Sequence, residues 1–330
     1  MLDDRRSEIL RSLVECHIRT GAPASSTMVL ENSDLEVSPA TVRKELALLE
    51  EDGYAAQPHT SAGRVPTALG YRFYVDNQVA FQLRRAVRSR ISSFFSEVEL
   101  ELDRLLHATS RLLSDVTRLP AVVVGPHLAA ERIRSINLVS LQLRLALLVV
   151  VTESARVLQE ICRLPAPLTG EEVSEMETLL RSHALGAPLG LPAPPALAPP
   201  GVPPTPFGSC FQEVWATLER AAVRASDVYV MGTGRLADLW DDLDAVSQVL
   251  GVLEREAAVL DLLASDPGIN IRIGEEIPDL EMDLAVVSTS FLAGNSSGRI
   301  GVLGPMRMNY GRAISVVQRV SAGLADRIGV

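Results

Sequence analysis

Residues 38–74, SPATVRKELALLEEDGYAAQPHTSAGRVPTALGYRFY, restrict what this chain can fold into more than any other stretch. Ser38 is a strong N-cap candidate, and Pro39 suits the first helical position, where its missing N–H is not needed. Gly53 ends the helix, because glycine tolerates the left-handed conformation beyond the last turn. Val42, Leu46 and Leu49 recur at i, i+4 and i+7, which makes one face core. The opposite face carries Ala40, Lys44 and Ala47, flanked by Thr41 and Arg43. It combines small residues that permit close approach with positive charge and a hydroxyl near the helix N-terminus. A helix entering a DNA major groove needs those properties. Directly after it, Tyr54–Gln57 reads as a strand, 58–63 as a polar turn, and Arg64-Val65 as a return strand before Pro66. A hairpin in that place is a wing, whose tip offers His59, Thr60, Ser61 and Arg64 to a DNA backbone or minor groove.

The preceding residues fit the same plan. Residues 3–20 read as an amphipathic helix lined by Ile9, Leu10, Leu13, Val14 and Ile18 and ended by Gly21. Pro23 opens a second short helix through about Leu30, with Ser25, Ser26 and Thr27 in its first turn. Those hydroxyls and free N–H groups either hold a phosphate or simply cap the helix. Helix, helix, turn, helix, hairpin is the order of a winged helix-turn-helix; the plainer alternative is a three-helix unit with a hairpin. Thr67 caps a further helix, GYRFY, in which Tyr71, Phe73 and Tyr74 pack toward the next domain. Arg72 either reaches a phosphate or pairs with an acid.

Net charge bears on this reading. The chain of 330 residues carries 41 acidic and 31 basic residues, net −10. Residues 1–90 hold 12 of each, so the whole deficit lies beyond them. Overall acidity therefore does not exclude a local basic surface at the N-terminal end. The cysteines, Cys16, Cys162 and Cys210, are scattered and odd in number, which fits a reducing, cytoplasmic setting without a disulfide framework. No metal-ligand spacing links them with the five histidines. The charged N-terminus is no signal peptide, and the longest apolar run, Leu145–Val151, is too short to span a membrane.

Farther along, 81–118 forms the longest helical pattern, an amphipathic connector with Arg84, Arg85, Arg88 and Arg90 near its start. Ala121–Val124, Ile133–Val139, Leu143–Thr152 and Val157–Cys162 read as strands, the last three consecutive and antiparallel. A helix is expected over Glu171–Leu185. Nine prolines in 188–206 exclude helix or central strand and mark an extended linker or loop. Beyond it the expectations are a helix over Phe211–Ala225, a strand over Asp227–Met231 and helix over 244–264. Strands Ile269–Ile273, Leu284–Phe291 and Arg299–Leu303 and a closing helix over Tyr310–Asp326 complete the chain. Glu275-Glu276 and the glycines from Gly294 to Gly304 invite an enzymatic reading. The glycines match neither a P-loop nor a dinucleotide fingerprint, and no nucleophile–base set accompanies them. The chain therefore reads as a non-enzyme that needs no cofactor.

Three segments carry a family resemblance. VSPATVRKELALLEEDGYAAQPHTSAGRVPTALGYRFYVD (37–76) resembles the N-terminal domain of the HrcA family of heat-inducible transcription repressors, down to the QPHTSAGR-PT wing. The upstream RTGAPASS (19–26) is similar to that family's entry to the second helix. IRIGEEIPDLEMDLAVVSTSF with GRIGVLGPMRMNYGR resembles its C-terminal part; Ile277, Met306, Asn309 and Gly311 stand where that family has Asn, Thr, Asp and Ser. The resemblance implies an α+β chain. Its parts would be a winged helix-turn-helix domain (1–80), a connector with the first part of a GAF-like domain (81–165), an inserted dimerisation domain (166–250) and the rest of the GAF-like domain (251–330). It implies a homodimeric repressor of heat-shock chaperone operons that binds double-stranded DNA at an inverted-repeat, CIRCE-type operator and depends on the chaperonin GroEL. The candidate DNA contacts are Ser25, Ser26, Ala40, Thr41, Arg43, Lys44, His59, Thr60, Ser61, Arg64 and Arg72. The alternative is a winged-helix regulator gated by a small molecule in the GAF-like domain.

Overall fold

The computed structural model describes residues 2–59, 63–77, 81–98, 101–126, 131–153, 156–190, 205–223, 228–240, 242–263, 268–277, 282–293 and 296–328. Helix α1 (Asp4–Thr20) starts where the Asp3 carboxylate accepts the Arg6 N–H at 2.8 Å and stops at Gly21, φ 67°. Helix α2 (Ser26–Glu31) begins at Ser26 rather than Pro23. Ala24 is engaged elsewhere: it exchanges two backbone hydrogen bonds, both 2.9 Å, with Arg64. Helix α3 (Pro39–Glu51) has Ser38 as N-cap and Pro39 in its first turn, as its sequence predicts. Strands β1 (Ala55–Ala56) and β2 (Val65–Pro66) pair antiparallel, and Ala24 extends the pairing through Arg64. Gly63 is required there, since a Cβ would lie 2.2 Å from the Ala24 carbonyl oxygen. Helix α4 (Ala68–Asp76) is capped by Thr67. Ile9, Leu10, Leu13, Val29, Val42, Leu46 and Leu49 close the core of this region.

The connector read as one helical pattern is two helices, α5 (Arg85–Glu97) and α6 (Leu102–Thr117). Val98 is extended after α5, and α6 starts at Glu101 without a side-chain cap. The apolar spacing runs on through this break, which is why periodicity does not register it. Strand β3 (Ala121–Val124) follows with every residue buried.

The chain then leaves to build a separate unit. Strands β4 (Ile133–Gln142), β5 (Leu145–Thr152) and β6 (Val157–Arg163) form an antiparallel sheet in sequence order. Helices α7 (Gly170–Ala184) and α8 (Pro206–Val223) cover one face, around Ile136, Leu148, Val150, Met176, Leu180, Phe211 and Trp215. The core of this unit runs from Ile133 to Leu218, and the residues after β7 (Val228–Met231) belong to the other unit. The break in texture near Leu164 is only the turn from the sheet to the helix packed on it: Arg181 on α7 donates to the Ile136 carbonyl at 3.1 Å. Most of the proline-rich segment, 191–204, lies outside the described residues.

Strand β7 pairs with β3, and the main sheet has the order β7-β3-β10-β9-β8, all antiparallel. Helices α9 (Leu236–Leu239), α10 (Leu243–Leu253) and α11 (Glu256–Leu262) pack on one face, against Val122, Val124, Val286 and Leu303. Its later strands are β8 (Asn270–Ile273), β9 (Ala285–Ala293) and β10 (Ser296–Gly304). Helices α12 (Tyr310–Ile328) and α6 pack on the other face against Val123, Val287, Ile300 and Val302, and α5 packs on α12. The alternation of β-strand side chains thus divides two cores across one sheet. The chain is a mixed α+β protein with a helical N-terminal region.

Candidate nucleic-acid interface

The face of α3 opposite its core is open. Ala40, Arg43 and Lys44 are exposed, and Thr41 and Ala47 are half-buried. Thr41 belongs to the cap: its N–H donates to the Ser38 hydroxyl at 3.1 Å, and the two hydroxyls lie 2.9 Å apart. Arg43 and Lys44 have no side-chain partner among the described residues. Their neighbour Glu45 points inward, with its side chain only 8% exposed, and draws Arg6 (3.0 Å) and Arg5 (3.3 Å) from α1. Arg6 also meets Asp52 at 3.6 Å. The acids of this region therefore neutralise the arginines that hold its helices together and leave the two cations of the α3 face uncompensated.

The remaining predicted residues divide. Ser25 is exposed and its hydroxyl accepts the Met28 N–H at 3.2 Å, so it caps α2 while its own hydrogen stays available. Ser26 is buried. His59 is exposed beside the hairpin turn, whereas Thr60 and Ser61 lie outside the described residues. Arg64 pairs with Glu50 near the end of α3 at 2.8 Å. Arg72 takes the acid pairing rather than an open position: it donates to both oxygens of Glu276, at 2.8 Å through Nε, and to the Ile271 carbonyl at 2.6 Å. The side chains of Ala40, Thr41, Arg43 and Lys44 thus share one surface, and Arg72 is spent on another contact.

Residues 103–314 match the family model described as the HrcA protein C-terminal domain. Full-length relatives agree. The heat-inducible transcription repressor HrcA of Symbiobacterium thermophilum is 34% identical over 99% of this chain and 98% of its own. That of Acidothermus cellulolyticus is 36% identical over 97% of each. The chain belongs to the HrcA family. It is a family of transcription repressors, not of enzymes. The fold is similar to that in a crystal structure of a hypothetical protein at 2.2 Å resolution, with a TM-score of 0.65, 23% identity and 99% of both chains covered.

Periodicity does not reveal the contacts that seat α4 between α1 and the body. Tyr71 is buried, its hydroxyl 2.5 Å from His17 Nδ1 and its ring 6.0 Å from that of Tyr310. Burial holds the His17 imidazole below its ordinary pKa; nearby Asp283 opposes this and Arg307 reinforces it. Arg307 packs against Gly21, where a Cβ would lie 3.7 Å from its guanidinium, and donates to the Leu239 carbonyl at 2.8 Å. A buried aromatic in GYRFY was legible as a packing residue; its partners His17 and Tyr310, far away in the chain, were not.

Among the described residues no group of His, Cys, Asp and Glu is placed to hold a metal ion, and no helix is long and apolar enough to cross a membrane.

Proposed function

We propose that residues 1–80 form a winged-helix domain that reads double-stranded DNA through α3, and that the chain represses transcription from an inverted-repeat, CIRCE-type operator as a homodimer. The observation that carries this is the pair Arg43 and Lys44, uncompensated on the exposed face of α3, in a domain whose other arginines are largely paired. Ala40 and Ala47 let the helix approach a groove, Thr41 and Ser25 line its N-terminal side, and His59, Thr60 and Ser61 serve the hairpin turn. The expected result in a gel-shift titration at fixed salt is binding of the inverted repeat at least about 10³-fold tighter than a scrambled duplex. Equal affinity for the two would overturn the reading.

The outward face of the three-stranded sheet supports dimerisation. Val139, Leu147 and Ile161 stand in one cross-strand row, and Val151 pairs with Val157 in another. Val139, Val157 and Ile161 are exposed. An apolar sheet face of this kind, repeated in two copies, makes a self-complementary two-fold interface. Leu147→Asp should convert a dimer to monomers in sedimentation; an unchanged mass rules this face out.

Dependence on the chaperonin GroEL rests on the family alone. Refolding with and without chaperonin, followed by operator titration, tests it: equal active fractions would end the idea. We further propose that the main sheet with its helices is a GAF-like domain. One face of that sheet is packed by its helices through Val122, Val124, Leu236, Trp240, Val249, Val252, Val259 and Val286.

A further inference from the structure

Three contacts of different kinds join the reading domain to the body, two made by helix α4 and one by Gly21 at the end of α1. Tyr71 against Tyr310 is a buried ring contact. Gly21 against Arg307 is a close approach of backbone and guanidinium. Arg72 against Glu276 is a forked ion pair. Ring and van der Waals contacts locate a pivot but define rotation about it weakly. A guanidinium–carboxylate fork is planar, with two parallel bonds in fixed directions. Arg72 has a third anchor in the Ile271 carbonyl at 2.6 Å, and Glu276 is itself held, since its Oε2 accepts the Ile273 N–H at 3.0 Å. The fork therefore ties the direction of α4 to the backbone of β8 and the turn that follows it. Gly274 in that turn, φ 54°, lets Ala68 of α4 sit close: a Cβ there would come within 3.3 Å of the Ala68 methyl. Helix α4 also packs on α1 and β2, so its direction is carried to the rest of the reading domain.

The pair is partly exposed, 26% for Arg72 and 40% for Glu276. Pairs of that exposure add little net stability, so its geometric consequence outweighs its energetic one. In a dimer on an inverted repeat, adding one base pair between half-sites moves one half-site by about 3.4 Å and turns it by about 35°. A reading domain locked in direction cannot follow that turn; one that pivots can.

We propose that Arg72 and Glu276 are positioning residues that lock the reading domain on the body and thereby set the half-site spacing the repressor accepts. This rests on the dimeric, operator-binding reading above. The test measures affinity by fluorescence anisotropy, at fixed salt, for an inverted repeat whose spacer is lengthened or shortened by one and two base pairs. A duplex with a single half-site and a scrambled duplex serve as controls. Wild type should lose about tenfold or more per base pair of spacer change. Glu276→Gln keeps an acceptor for the Ile273 N–H but removes the charge, and should flatten the profile to about threefold or less, with single-half-site affinity unchanged. Arg72→Lys, which keeps the charge but not the fork, should lie between. An unaltered spacing profile in Glu276→Gln, or a loss equal for all spacers and the single half-site, overturns the positioning role while leaving operator recognition intact. A wild type that cannot distinguish the inverted repeat from the scrambled duplex overturns both.

Discussion

Arg43 and Arg72 are both helix-borne arginines in one N-terminal region, and their surroundings are opposite. Arg43 on α3 is exposed and, with Lys44, has no side-chain partner among the described residues. Arg72 on α4 is bound by a carboxylate and a backbone carbonyl from the main sheet. Arg5, Arg6 and Arg64 side with Arg72, held by Glu45, Asp52 and Glu50. The lesson concerns net charge. A region with 12 acidic and 12 basic residues in its first 90 positions is electrically neutral on paper. It nonetheless presents a cationic helix face, because its acids are spent on structural arginines.

The sharpest way to break this comparison is Arg43→Ala. If Arg43 reads a base, operator affinity should fall by about 1–3 kcal/mol, roughly 5- to 150-fold, with discrimination against scrambled duplex relaxed and the thermal melt unchanged. Equal loss on operator and scrambled DNA would make it a backbone contact instead. Lys44→Ala should cost less and act evenly. We expect about three- to tenfold weaker binding on both duplexes and a slope of log affinity against log salt reduced by about 1. Glu50→Gln should work in the opposite direction: releasing Arg64 beside the hairpin should tighten all DNA by about two- to threefold. A weakening would mean that the Arg64–Glu50 pair shapes the hairpin rather than restraining a cation.

The smallest expected effect concerns His17, on the seated side of the comparison. Its folded pKa is lowered from 6.5 by burial. The contribution of the neutral imidazole is therefore complete above pH 6.5 and is lost as pH falls through the folded value. The groups facing it are Tyr71 from α4 and, from the body, Asp283 and Arg307. Between pH 7.5 and 5.5 wild type should lose about 1–3 °C more in Tm than His17→Gln does. Identical pH slopes in the two proteins would remove His17 from the seating of α4.

Local chemistry was legible where it is decided locally. The cap at Ser38, the proline at the start of α3, the glycine stops at Gly21 and Gly53, and the cap at Thr67 all stand where short-range rules put them. The start of α2 was misread because Ala24 is claimed by Arg64, 40 positions away. The connector's break escaped notice because its apolar spacing continues across it. That α7 packs back on the sheet before it is a choice made by tertiary burial. Of the candidate site, the face of α3 was readable from periodicity, whereas the fates of Arg64 and Arg72 were not.

The sequence by itself determined which helices form, where they stop, which side chains share the open face of α3, and the motifs that mark the family. Only the tertiary structure decided which arginines stay available. Arg6 meets Glu45 across 39 positions and Arg72 meets Glu276 across 204. Caps and periodicities act within a turn or two of chain, but charge neutralisation depends on distance in space, and the fold alone sets that.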